Sequence, residues 1–161
     1  MQIKGLKDED FVNYKKPSMF IIMPFCSFKC DKENGCNLCQ NSHLAQEPNH
    51  TFDTNSLIER YIANPITKAI VFGGLEPFDT VEELRDFIFT LRLKYKCCDD
   101  VVIYTGYDEW ELIGNPEYNA IIRCGNIVIK YGRFRPNQQP HYDEVLGIKL
   151  ASDNQYAKRY N

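Results

Sequence analysis

The 161-residue chain has little histidine, little tryptophan and no excess of charge of one sign. Its three histidines, His43, His50 and His141, share no metal-ligand spacing, so loop or surface roles are expected for them. Trp110, the single tryptophan, falls in a short helical pattern and is expected to pack that helix onto a sheet. Nineteen basic against twenty-two acidic residues give a formal charge of −3, which excludes the basic footprint of a nucleic-acid binder. No apolar run approaches membrane-spanning length, and Met1-Gln2-Ile3-Lys4-Gly5-Leu6-Lys7 lacks a signal peptide's apolar stretch. The expected setting is cytoplasmic, with neither nucleic acid nor membrane as partner. Repeats, low-complexity tracts and linkers are also missing, so one domain over residues 1–161 is expected.

What is present is concentrated. Of seven cysteines, four lie within fourteen residues: Cys26-Ser-Phe-Lys-Cys30, five further residues, then Cys36-Asn-Leu-Cys39. An odd count with such crowding does not fit a disulfide framework, and points to a reducing compartment in which thiols are free to bind metal. Four polarizable, oxidisable groups along one polar loop have no packing purpose. Their spacing suits one ion or cluster gripped by consecutive turns, either a four-thiolate zinc knuckle or an iron–sulfur centre. Cys97, Cys98 and Cys124 stand apart and are expected to be spare or packing thiols.

Apolar, β-prone runs alternate with helical patterns along the chain. Residues 19–23, 68–72, 101–104 and 127–130 read as buried strands. Leu57, Ile58, Tyr61 and Ile62 make one helical face, ended by Pro65. Thr80 and Glu83 have capping-box spacing ahead of Leu84, Phe87, Ile88 and Leu91. Near-continuous apolar strands alternating with helices indicate an α/β fold with a mostly parallel sheet and flanking helices. The polar stretch 132–142 reads as a long covering loop. Three loops then share one edge, because each follows the carboxyl end of a strand. They are the cysteine loop, Gly73-Gly74-Leu75-Glu76-Pro77 and Thr105-Gly106-Tyr107. Ligands of parallel α/β sheets bind at that edge.

These residues resemble the radical S-adenosylmethionine superfamily, and within it the small glycyl-radical-enzyme activases, most closely those serving anaerobic ribonucleotide reductases. The likeness also takes in Asp10-Phe11-Val12-Asn13, Ser18-Met19-Phe20-Ile21, Tyr104-Thr105-Gly106-Tyr107, Tyr131-Gly132-Arg133-Phe134 and Ser152-Asp153-Asn154-Gln155, which is nearly the whole chain. One departure stands out: the superfamily spacing is C-x3-C-x2-C, whereas five residues separate Cys30 from Cys36. Aligning both flanks of the family loop makes Cys26, Cys30 and Cys39 the ligands; Cys36 is the alternative.

The resemblance implies a partial TIM-like barrel, a [4Fe–4S] cluster with one open iron, and S-adenosylmethionine bound to that iron. Reductive cleavage would yield methionine and a 5′-deoxyadenosyl radical. Leu38, Gly73, Gly74, Leu75, Glu76, Pro77, Thr105 and Gly106 are the implied S-adenosylmethionine contacts. The implied partners are a large glycyl-radical enzyme, an anaerobic ribonucleotide reductase, and a flavodoxin- or ferredoxin-type electron donor. Arg133 and Phe134 are the expected docking residues. A radical enzyme acting on a small molecule or peptide is the other reading within the superfamily, and a zinc-binding interaction module the reading outside it.

Overall fold

Six strands form the central sheet of the computed structural model, which describes residues 1–35, 37 and 39–161. In chain order the strands are β1 (Gln2–Ile3), β2 (Gly5–Asp10), β3 (Ser18–Ile22), β4 (His50–Thr51), β5 (Ala69–Gly73), β6 (Asp100–Tyr104), β7 (Ile127–Tyr131), β8 (His141–Asp143), β9 (Ile148–Leu150) and β10 (Tyr156–Tyr160). The helices are α1 (Lys29–Asn34), α2 (Thr54–Ala63), α3 (Val81–Phe89), α4 (Glu109–Leu112) and α5 (Pro116–Ile122). The sheet runs β10-β7-β6-β5-β3-β2. Its four inner strands are parallel and its two outer strands antiparallel. β1 with β4, and β8 with β9, make two small antiparallel pairs. Among the described residues the sheet stays open, with β10 and β2 as its ends.

The two faces of the sheet differ, and the period-2 alternation of each strand decides what goes where. Ile70, Phe72, Val101, Ile103, Ile127 and Ile129 pack with Leu57, Ile58 and Tyr61 of α2, Leu84, Phe87 and Ile88 of α3, and Tyr118 and Ile121 of α5. Phe72 meets Phe87 edge-on at 5.1 Å, a favoured aromatic geometry. Ala69, Val71, Val102 and Val128 face the other way and are smaller. They are covered by Tyr14 and by Leu146 and Leu150 of the β8–β9 segment. All three long helices therefore share one face, and the other is left to loops and a hairpin.

Several local expectations change. Ile62 is half exposed, because α2 buries only Leu57, Ile58 and Tyr61. Thr80 makes no side-chain cap at α3, and Glu83 instead accepts a bond from the Gln2 N–H at 3.2 Å. Trp110 is 72 % exposed, since α4 is a single turn that buries Leu112 alone. The stretch 132–142 is a loop only as far as residue 140, after which β8 begins.

One buried carboxylate ties the chain ends to the sheet. Asp100, 4 % exposed at the start of β6, accepts from Arg159 Nη1 at 2.8 Å and Tyr14 Oη at 2.9 Å. Lys16 Nζ stands 2.6 Å away. Burial alone would raise the Asp100 carboxyl, but bonds from Arg159, Lys16 and Tyr14 outweigh it and hold it well below the usual range. A depressed folded-state pKa stabilises the fold above the unfolded value, ~3.9, and that gain is lost as pH falls below it. Asp100→Asn should therefore cost about 2 kcal/mol in neutral-pH denaturation, less than a fully buried pair because Arg159 and Lys16 are partly exposed. The gap between variant and wild type should close as the pH is lowered from ~5 toward 2.

Candidate cluster and cofactor site

β5 delivers the Gly73-Gly74 turn, and both glycines are needed there for different reasons. Gly74 has φ +77°, and a Cβ on it would sit 2.8 Å from Ile22 Cγ2. Neither the conformation nor the space admits a side chain. Gly73 lies against Tyr104, where a Cβ would come to 3.2 Å from that residue's Cβ. Its carbonyl accepts from Met23 N at 2.9 Å and from Leu75 N at 3.0 Å, closing the turn and aligning it with the end of β3. Pro77 then opens a 3-10 turn, Pro77–Thr80, with Glu76 at its N-cap.

Glu76 joins the β5 and β6 loops. Its carboxylate accepts from Phe78 N at 3.1 Å, Thr105 Oγ1 at 2.7 Å and Gly106 N at 2.8 Å. Its own N–H donates to Phe25 O at 3.0 Å, just ahead of Cys26. Burial pushes the Glu76 carboxyl up to about 7 although those three donors favour the charged form.

The cysteine loop leaves β3 and folds back on this platform. Phe28 at φ 54° starts α1 and Gly35 at φ 68° ends it, so six residues carry Cys30 on one short helical turn. Phe28 N donates to Cys26 Sγ at 3.3 Å. Cys39 N donates to Asp31 Oδ1 at 2.9 Å, which brings Cys39 back alongside α1. Asp79 straps the loop to the sheet edge, accepting from Ser27 N and Tyr107 Oη at 2.6 Å each. Cys26, Cys30 and Cys39 line one cavity of about 380 Å³, shared with Gly74, Leu75, Glu76, Thr105 and Gly106. A Cβ on Gly106 would stand 3.4 Å from Cys30 Sγ, an ordinary contact distance, so the thiol lies close against the β6 loop.

The donor set fits an iron–sulfur cluster. Burial pushes the Cys26 thiol up to about 12 and raises that of Cys30, so cationic iron is what would hold them as thiolates. The three sulfurs border a space instead of one point, and a cluster takes each thiolate on a different iron.

Of the expected site residues, Cys26, Cys30, Cys39, Gly74, Leu75, Glu76, Thr105, Gly106 and Phe134 line the cavity. Gly73 and Pro77 support the turn and do not line the cavity. Phe134 is half-buried on the cavity wall. Arg133 is 7 % exposed and bonded to Glu111, so the structure does not leave its guanidinium free for docking. Cys36 and Leu38 lie outside the described residues. Lys130 is a functional candidate that the motifs do not mark. Two residues on from Val128, it faces the same loop side, lines the cavity, and donates to Gly132 O at 2.7 Å. Burial lowers its ammonium to about 8. A lone lysine closing an otherwise apolar strand was the available signal.

The chain matches the model of the 4Fe-4S single cluster domain over residues 18–156 and belongs to that family. Membership favours iron–sulfur over zinc at the thiol cavity. Among curated proteins nothing matches the chain.

The Glu76 tie gives a direct check. Glu76→Gln keeps size and the bonds from Thr105 and Phe78, but turns an amide N–H₂ toward the Gly106 N–H. It should lower stability by about 1–3 kcal/mol, the cost of an unmet buried donor, read by chemical denaturation.

Proposed function

We propose that this 4Fe-4S protein is a radical S-adenosylmethionine activase that installs a glycyl radical on an anaerobic ribonucleotide reductase. The observation that carries the reading is that three cysteines and the Gly-Gly-Leu-Glu-Pro turn open onto the same cavity at the carboxyl edge of parallel strands. The singly wound sheet, with its helices on one face and small residues on the other, is what a partial barrel of the superfamily type requires.

In this reading Cys26, Cys30 and Cys39 hold three irons and leave the fourth open. When bound, the reduced cluster and S-adenosylmethionine supply the chemistry: one electron breaks a sulfur–carbon bond, leaving methionine and an adenosyl fragment that takes the glycine hydrogen. The protein's part is to bind and to orient. Gly74 lets the backbone approach the methionyl group with no Cβ in the way, while Thr105 and Gly106, fixed by Glu76, form the neighbouring wall. Lys130 adds a buried cation to that wall, suited to an anionic end of the ligand. In this reading Leu38 would contact the adenine, and Cys36 is the alternative ligand.

A cavity of about 380 Å³ is at the small end for one cofactor-sized ligand. A glycine Cα–H must then come from outside, on a flexible loop of the partner laid over the cavity mouth, with Phe134 at its margin. Positioning before cleavage is what makes so reactive a species selective. Electrons arrive from a flavodoxin- or ferredoxin-type donor in the cytoplasm.

Two measurements test this. Anaerobically reconstituted protein, reduced and mixed with S-adenosylmethionine and the reductase, should give a glycyl doublet by electron paramagnetic resonance. Cleavage without that doublet would point to a small-molecule or peptide substrate, and no iron uptake would refute the whole reading. Alanine at Cys26, Cys30 or Cys39 should abolish cluster retention, whereas Cys36→Ala should keep most of the iron. The reverse pattern for Cys30 and Cys36 would reassign the ligand.

A further inference from the structure

Arg133 follows the end of β7 and turns back beneath the cysteine loop. Its Nη1 and Nη2 bond both oxygens of Glu111 on α4, at 2.7 and 2.9 Å, and its Nε stands 3.2 Å from Glu33 of α1. The fork-to-fork pair fixes the guanidinium plane, which lies 5.6 Å from the centre of the Tyr107 ring. Lys29 of α1 also reaches this cluster, 4.2 Å above the Tyr107 ring and 3.9 Å from Glu111. Arg133 does not line the main cavity. With Cys26, Cys30, Glu76 and Gly106 it lines a separate pocket of about 20 Å³, room for about one water. Around Gly106 the two side chains close in, since a Cβ there would meet Cys30 Sγ at 3.4 Å and Arg133 Cγ at 3.6 Å. The cation thus neighbours Cys30 across this small pocket, outside the lining of the main cavity.

We propose that Arg133, held by Glu111, is a positioning residue for Cys30 that sets the reduction potential of the cluster; the inference rests on Cys30 being a cluster ligand. Reduction adds one negative charge to the cluster. A nearby buried cation stabilises that charge, and a carboxylate beside the cation offsets part of the effect. Arg133 and Glu111 therefore act on the potential with opposite signs. A purely mechanical strap would not, because removing either partner would loosen the loop in the same way.

The test is to reconstitute wild type, Arg133→Met, Arg133→Lys and Glu111→Gln without oxygen, and to measure iron content and cluster midpoint potential by redox titration. Arg133→Met should shift the potential to more negative values and Glu111→Gln to more positive ones. Arg133→Lys, which keeps the charge, should stay near wild type even if some iron is lost. Unchanged potentials, or shifts of the same sign in Arg133→Met and Glu111→Gln, would overturn the proposal. Should Arg133→Met hold no iron, Glu111→Gln decides alone: a positive shift supports the inference and any other result overturns it. A wild type that takes up no iron would overturn the cluster reading, and this inference with it.

Discussion

The Glu76 carboxylate is the constraint on which the site depends. A buried acid accepting from Phe78 N, Thr105 Oγ1 and Gly106 N binds the turn after β5 to the turn after β6. Its backbone N–H holds Phe25, and so the entry to the cysteine loop. Burying a carboxyl in this way is costly unless its oxygens are met, and the backbone N–H groups of Phe78 and Gly106 with the Thr105 hydroxyl meet them. Cys30 and the Arg133 stem both lie close to the same Gly106. Glu76 and Gly106 thereby line both the thiol cavity and the small pocket that holds Arg133.

The sheet explains why the site lies where it does. Helices cover one face with large side chains, and the loop face carries alanine and valine beneath a thin cover. Toward the carboxyl ends of the strands the cover parts, and Tyr104 and Lys130 reach the cavity. Strand alternation sends Lys130 there and its neighbour Tyr131 to the helix face. Tyr131 Oη there pairs with those of Tyr118 and Tyr160 at 2.9 and 2.8 Å. A one-residue slip of β7 would exchange them and put an ammonium in the helix-side core.

The central strands were legible because both of their faces are buried, leaving unbroken apolar runs. The outer strands were not. β2 reads Gly-Leu-Lys-Asp-Glu-Asp and β10 Tyr-Ala-Lys-Arg-Tyr, sequences with no strand-like run, since an edge strand pairs on one side and meets water. Thr80 and Glu83 have the right spacing for a cap, yet Glu111, bonded to the Asp108 N–H at 2.9 Å, is the acid that reaches back. Local spacing cannot tell these apart when tertiary partners compete for the carboxylate. The cysteines and the glycine turn were readable because their chemistry demands uncommon residues in close order. Lys130 and Glu111 carry no such signature: Lys130 bonds a carbonyl two residues on, and Glu111 takes its arginine from 22 residues away. Arg133 shows the opposite failure: in a polar loop it looked free, and its burial comes from α1 and α4.

Central to the proposed function is a cluster held by three thiolates, whose fourth iron would be open to S-adenosylmethionine. Its most direct test is the electron paramagnetic resonance spectrum of the reduced protein, recorded before and after adding S-adenosylmethionine labelled with ¹³C at the carboxylate. The proposed function predicts a change in the cluster signal and a hyperfine coupling to the label, because the ligand would bind iron itself. An iron–sulfur signal indifferent to the ligand, with no coupling, would contradict it.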